Sequence, residues 1–153
     1  MATTPMTRKD ELLQQMIGTY RDLNNRVRPL GEDRLRLKRG DHPSIRDVIV
    51  QMRDDELTFA QALKERLTGV PKPDVIMDQR PTLGLEQSND PTAYIISQFG
   101  TARATTLSLI RELSEERWSE PIEGGGTVVD RIAELVANDR RQLERLNGLL
   151  GAP

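Results

Sequence analysis

Between Ser44 and Thr68 the apolar residues Ile45, Val48, Ile49, Met52, Phe59, Ala60, Leu63 and Leu67 recur at helical steps. That period puts them on one face of an α-helix, whereas a half-buried strand would alternate at every second residue. Ser44 stands where an N-cap is needed, and Thr68-Gly69 ends the run, with Pro71 and Pro73 beyond. A helix this long and this one-sided has to bury its stripe against other elements, and the rest of the chain supplies three.

The first spans about 7–28, with Thr7 and Asp10 in a capping arrangement and a stripe of Leu12, Met16, Tyr20, Leu23 and Val27. The third spans about 91–115. It opens at Asn89-Asp90-Pro91, an Asx cap with proline at the first helical position, and its stripe is Ile95, Phe99, Ala102, Thr106, Ile110 and Leu113. The fourth, about 127–150, follows Gly124-Gly125-Gly126 and is capped by Thr127 with Asp130. It buries Val128, Ile132, Leu135, Val136, Leu143, Leu146 and Leu150. The connection from about Val70 to Asn89 is too long for a tight antiparallel turn and can carry the chain back along the molecule. An all-α four-helix bundle of up-down-down-up topology, one domain over 1–153, is the architecture expected.

Composition narrows the function classes. A net charge of −2 with 30% charged residues gives no basic field for nucleic acid or an acidic membrane. The absence of cysteine excludes disulfides, thiolate metal sites and a cysteine nucleophile. No stretch approaches the roughly 20 apolar residues of a membrane span, so a cytoplasmic protein is expected. The serines have no histidine partner in sight, since His42, the one histidine, precedes the second helix and reads as a surface or capping residue. Gly124-Gly125-Gly126 reads as a turn and Trp118 as packing for the last link.

Polar groups on the apolar faces are more informative. At 100° per residue Glu56 falls near the middle of the second stripe, Asp55 at its edge and Gln51 just outside. On the last helix Asp139 falls near the stripe centre, Gln142 within it and Asn138 at its border. The third helix adds Thr106 inside and Arg103 at the edge. Buried polar groups require partners. Three arrangements satisfy them: a polar pocket lined by Gln51, Asp55, Glu56, Asn138, Asp139 and Gln142; helix-to-helix hydrogen bonds and ion pairs, with Glu56 or Asp139 meeting Arg103 or Arg141; or a hard cation held by Asp55, Glu56 and Asp139.

The run Pro43-Ser44-Ile45-Arg46-Asp47-Val48-Ile49-Val50-Gln51 resembles the Trp-Ser-x-x-(Glu/Asp)-x-x-x-His opening of helix two in the DinB-like superfamily. The run from Thr127-Val128-Val129-Asp130 to Asn138-Asp139-Arg140-Arg141-Gln142 resembles its closing Thr-x-x-(Asp/Glu)…His-Asp-x-x-His helix. The resemblance implies an up-down-down-up bundle, frequent dimers, and a divalent metal on three histidines that serves thiol-dependent transferases and isomerases using mycothiol or bacillithiol. The corresponding positions here are Gln51, Asn138 and Gln142, and Pro43 replaces the tryptophan. Amide oxygens are weak ligands for zinc, nickel or iron, so no such metal and no cofactor is expected. The function expected is therefore a non-metal binding or interaction module, with a small polar ligand near Gln51, Asn138 and Gln142. Asp55, Glu56, Arg103, Asp139 and Arg141 would support that site, and a homodimer is the expected partner. A thiol-transferase-like enzyme with an atypical metal site or none, and a purely structural homodimer component, remain the alternatives.

Overall fold

The computed structural model describes residues 8–68, 90–121 and 126–151, and all the regular structure among them is helical. Four long helices carry it: α1 (Arg8–Arg26), α3 (Ile45–Thr68), α4 (Thr92–Arg111) and α6 (Val128–Gly151). Two short ones, α2 (Glu32–Arg36) and α5 (Glu115–Trp118), lie in the connections between them, where the apolar periodicity predicts no helix. Each long helix packs on two others: α1 on α4 and α6, and α3 on the same pair. The expected 70–89 connection, the Thr7 cap, and Gly124 and Gly125 lie outside the described residues.

The helix starts follow from their caps. The Ser44 hydroxyl accepts from the Asp47 N–H at 3.0 Å while Asp47 accepts from the Ser44 N–H at 3.0 Å, a reciprocal box that opens α3. Thr127 and Asp130 repeat it at α6, at 3.3 and 2.9 Å. Gly126 enters that cap at φ +77°, a backbone region glycine occupies without strain.

The start of α4 differs from expectation. Pro91 is the N-cap and provides no side-chain cap. Instead the Thr92 N–H donates to Glu32 Oε1 at 2.6 Å, from α2, sixty residues earlier. That short helix also buries Leu35 and sends Arg34 Nη2 to the Leu150 carbonyl at 2.7 Å, so it holds the start of α4 and the end of α6 together. At the other end, helix three stops at Arg111 rather than near residue 115. Ser114 caps a new short turn there by accepting from the Arg117 N–H at 3.3 Å. Trp118 on that turn is buried, donates its indole N–H to the Ile110 carbonyl at 3.0 Å and lies beneath Lys9 Nζ, as the packing role assigned to it requires.

Two of these caps carry a pH signature. Burial alone would raise the Glu32 carboxyl, but hydrogen bonds from Arg36 and Thr92 outweigh it and hold the group below its ordinary value. Asp47 shows the same balance, with burial overcome by Ser44 and Lys38. A carboxyl depressed in the folded state contributes stability that is present above its unfolded pKa, about 4, and lost as pH falls through the lower folded value. The melting temperature should therefore drop between about pH 5 and pH 3. Glu32→Gln combined with Asp47→Asn should flatten that drop; equal slopes for variant and native protein would contradict it.

The core divides into two apolar clusters. One gathers Leu12, Met16, Leu63, Ile110, Trp118, Ile132 and Val136. The other gathers Leu23, Leu35, Ile45, Ile49, Ile95, Phe99 and Leu146. On every long helix a single step along the chain leads from one cluster to the other, and what lies at that step is polar. Close to this level α1 and α4 approach tightly: Gly100 lies so near the Tyr20 ring that a Cβ there would strike it.

Candidate functional site

The layer between the two clusters is built from one side chain per helix. Thr19 lies between Met16 and Leu23, Glu56 between Met52 and Leu63, Arg103 between Phe99 and Leu107, and Asp139 between Val136 and Leu146. All four are buried; Arg103 and Glu56 are 1% exposed and Asp139 5%. Arg103 donates through Nε to Glu56 Oε2 at 2.9 Å and through Nη2 to Glu56 Oε1 at 2.8 Å. Its Nη1 donates to Asp139 Oδ2 at 2.9 Å and to the Met16 carbonyl at 3.0 Å, while Nη2 also reaches Asp139 Oδ1 at 3.0 Å. The Thr19 hydroxyl donates to Asp139 Oδ2 at 2.8 Å.

Every N–H of the guanidinium thus has an acceptor, and every oxygen of both carboxylates has a donor. The planar fork of arginine suits this geometry, since its five N–H groups reach both oxygens of two carboxylates and a carbonyl, more bonds than the three donors of a lysine ammonium could make. Burial on its own would lower the Arg103 pKa, but the bonds and charges of Asp139 and Glu56 outweigh it and push it up, so the side chain stays charged. The Phe99 ring lies 5.0 Å from the guanidinium carbon and closes one side. Among the described residues Glu65 Oε1 is the one buried side-chain polar atom without a hydrogen bond, so the cluster itself is complete.

Of the three arrangements open to the acids, the ion pair is therefore the one formed, with Arg103 as the base. Arg141 does not join it: that residue is exposed and its Nη2 reaches Asn138 Oδ1 at 3.4 Å. The hard-cation arrangement is displaced, because Glu56 and Asp139 are wrapped around the guanidinium. Among the described residues no group of three or more His, Asp or Glu side chains is placed to hold a metal ion.

The amide positions divide. Gln51 is exposed rather than inside a pocket, and its Nε2 donates to Asp55 Oδ1 at 2.7 Å. Asn138, half-buried on α6, sends its Nδ2 to Asp55 Oδ2 at 3.3 Å. The single carboxylate of Asp55 therefore ties Gln51 to Asn138 across the α3–α6 seam. Gln142 is buried and does not share that carboxylate; its Oε1 accepts from Arg145 Nη1 at 3.0 Å. The three positions that the resemblance assigns to a metal present amide groups, two with their N–H side turned to an acid and one with its oxygen already engaged. That donor set does not fit zinc, nickel or iron.

Two more buried arginines were not anticipated. Arg46 donates to the Asp90 carbonyl at 2.7 Å and Thr92 Oγ1 at 3.1 Å, and Arg53 to Gln98 Oε1 at 3.0 Å and to Asp54 Oδ1 at 2.8 Å. Both lie on the flank of α3 that faces α4. Thr19 was also missed, although three residues after Met16 and four before Leu23 it lies as near the centre of the α1 stripe as Tyr20 does. His42 is exposed, as expected. No helix among the described residues is long and apolar enough to cross a membrane. Comparison of the chain with family models, curated proteins and solved structures gives no match.

Proposed function

We propose that this chain is a metal-free, DinB-like four-helix bundle of up-down-down-up topology. It acts as a binding or interaction module, not an enzyme, through the polar seam of Gln51, Asp55, Asn138 and Gln142. One observation carries the reading: Asp55 bonds Gln51 and Asn138 at once, 2.7 and 3.3 Å away, so two of the three motif positions meet across different helices.

The order of contacts supports the topology. Arg46 meets Thr92, Arg53 meets Gln98 and Glu56 meets Arg103, so numbers rise together along α3 and α4. Between α1 and α4 they run oppositely, with Lys9 bonded to the Leu113 carbonyl and Arg28 to Ser97. A seam of amides and one carboxylate offers both donors and acceptors, which suits a small polar ligand. The homodimer rests on the family resemblance alone, and no contact among the described residues favours the thiol-transferase alternative. Elemental analysis of protein purified without chelator tests the reading. Zinc, nickel and iron should each fall far below one atom per chain; a full equivalent of any of them would overturn it.

A further inference from the structure

Where the last turns of α6 pass the segment joining α2 to α3, the surface opens into a cavity of about 330 Å³. It is lined by Arg39, His42, Pro43, Arg145, Gly148 and Leu149. A smaller recess of about 20 Å³ shares Arg39 and Leu149 and adds Arg34, Leu37 and Ile45. Among the described residues no acid lines either recess, in a chain whose 24 acidic residues outnumber its 22 Lys and Arg. Elsewhere on this surface the charges are interspersed as i,i+3 and i,i+4 pairs, such as Arg8 with Glu11 and Arg117 with Glu120. Here three arginines and a histidine surround apolar walls, and Leu37 stands 51% exposed beside them.

The helix end beside this spot opposes its positive charge. The end of α6 is the negative pole of its helix, equivalent to about half an elementary charge. Arg34 offsets it by donating to the Leu150 carbonyl at 2.7 Å. Arg39 has no ion pair among the described residues, and Arg145 commits only its Nη1 group, to Gln142. Two whole positive charges therefore outweigh the pole. The volume lies at the lower end of small-molecule sites, roughly 300–1,000 Å³.

We propose that this cavity binds a small organic acid, its carboxylate or phosphate head held between Arg39 and Arg145 and its apolar body laid along Pro43 and Leu149. The site lies beyond Gln142 on α6 and uses neither Gln51, Asp55 nor Asn138; it meets the polar seam only where Arg145 bonds Gln142.

Backbone NMR of the full chain, titrated separately with octanoate, octyl phosphate, octanamide and inorganic phosphate, tests it. Octanoate or octyl phosphate should shift the Gly148 and Leu149 amides saturably, the tighter of the two identifying the head. Octanamide, which lacks charge, and inorganic phosphate, which lacks the apolar body, should each bind at least roughly tenfold more weakly. Arg39→Ala and Arg145→Ala should each weaken the acid roughly tenfold. A Cβ at Gly148 would meet nothing within 4 Å, so Gly148→Leu should fill the cavity and abolish binding while the protein stays folded. Absence of a saturable shift with both acids, equal binding of octanamide, or unchanged binding in all three variants would overturn the proposal.

Discussion

Arg103→Met will destabilise the folded chain by about 3–5 kcal/mol, the usual consequence of stripping one partner from a buried ion pair. The reason lies in what remains. Glu56 and Asp139 would face each other across a methionine, deep between two apolar clusters, with Thr19 as the one remaining donor to Asp139 among the bonds described above. Neither acid can swing to water, because Glu56 is 1% and Asp139 5% exposed. Replacing the whole layer should behave differently. Arg103→Met with Glu56→Leu, Asp139→Leu and Thr19→Val removes every stranded group while keeping similar volume. It should recover stability to within roughly 1 kcal/mol of the native chain, since buried ion pairs are often no better than well-packed apolar residues. Urea unfolding of both variants is the measurement. A single variant as stable as the native protein would show that the cluster carries little. A multiple variant as unstable as the single one would show that packing, not stranded charge, sets the cost.

If replacement is neutral in stability, the layer must be justified by register. Two apolar clusters built from aliphatic side chains tolerate sliding, because one leucine packs much like another. A guanidinium that bonds α1, α3 and α6 from its place on α4 fixes the height of all four helices against one another. That predicts a multiple variant that is stable but less uniquely packed, visible as broadened side-chain NMR signals.

The second large effect is a gain. Gln51→His, Asn138→His and Gln142→His together should create a zinc site with a dissociation constant of about 1 μM or tighter, where the native chain is expected to show none. Asn138 and Gln142 are four residues apart on α6, and Asp55 already draws Gln51 to within one carboxylate of Asn138. Asp55 would then be placed to orient an imidazole, as carboxylates do behind metal-bound histidines. Gln142 is the position most apt to fail, because it is tied to Arg145; pairing the triple variant with Arg145→Ala should tighten binding further.

Much of this molecule was legible in its sequence, for local reasons. The helix spans follow from apolar periodicity, and the boxes at Ser44–Asp47 and Thr127–Asp130 follow from residues three apart. Glu56, Asp139 and Arg103 could be placed on or beside the core faces because angular position on a helix depends on sequence alone. Which acid meets which base is a matter of height between helices, and no single-helix pattern contains it. Hence Arg141 looked as eligible as Arg103, and Gln51 looked like a pocket residue though it is exposed. The cap that Glu32 lends to Thr92 and the cavity beside Arg39 share that cause: each joins segments distant in sequence, the first through a short helix with no apolar stripe to announce it and the second through the segment that follows that helix.

On the function proposed above, a metal-free polar seam stands where a bundle of the resembled type would hold metal ligands, and Arg103 holds the interior. Zinc titration of the native chain beside its triple-histidine variant, followed by calorimetry, tests it most directly. No saturable binding to the native protein and one tight site in the variant is the predicted result. One zinc bound tightly by the native chain would contradict it.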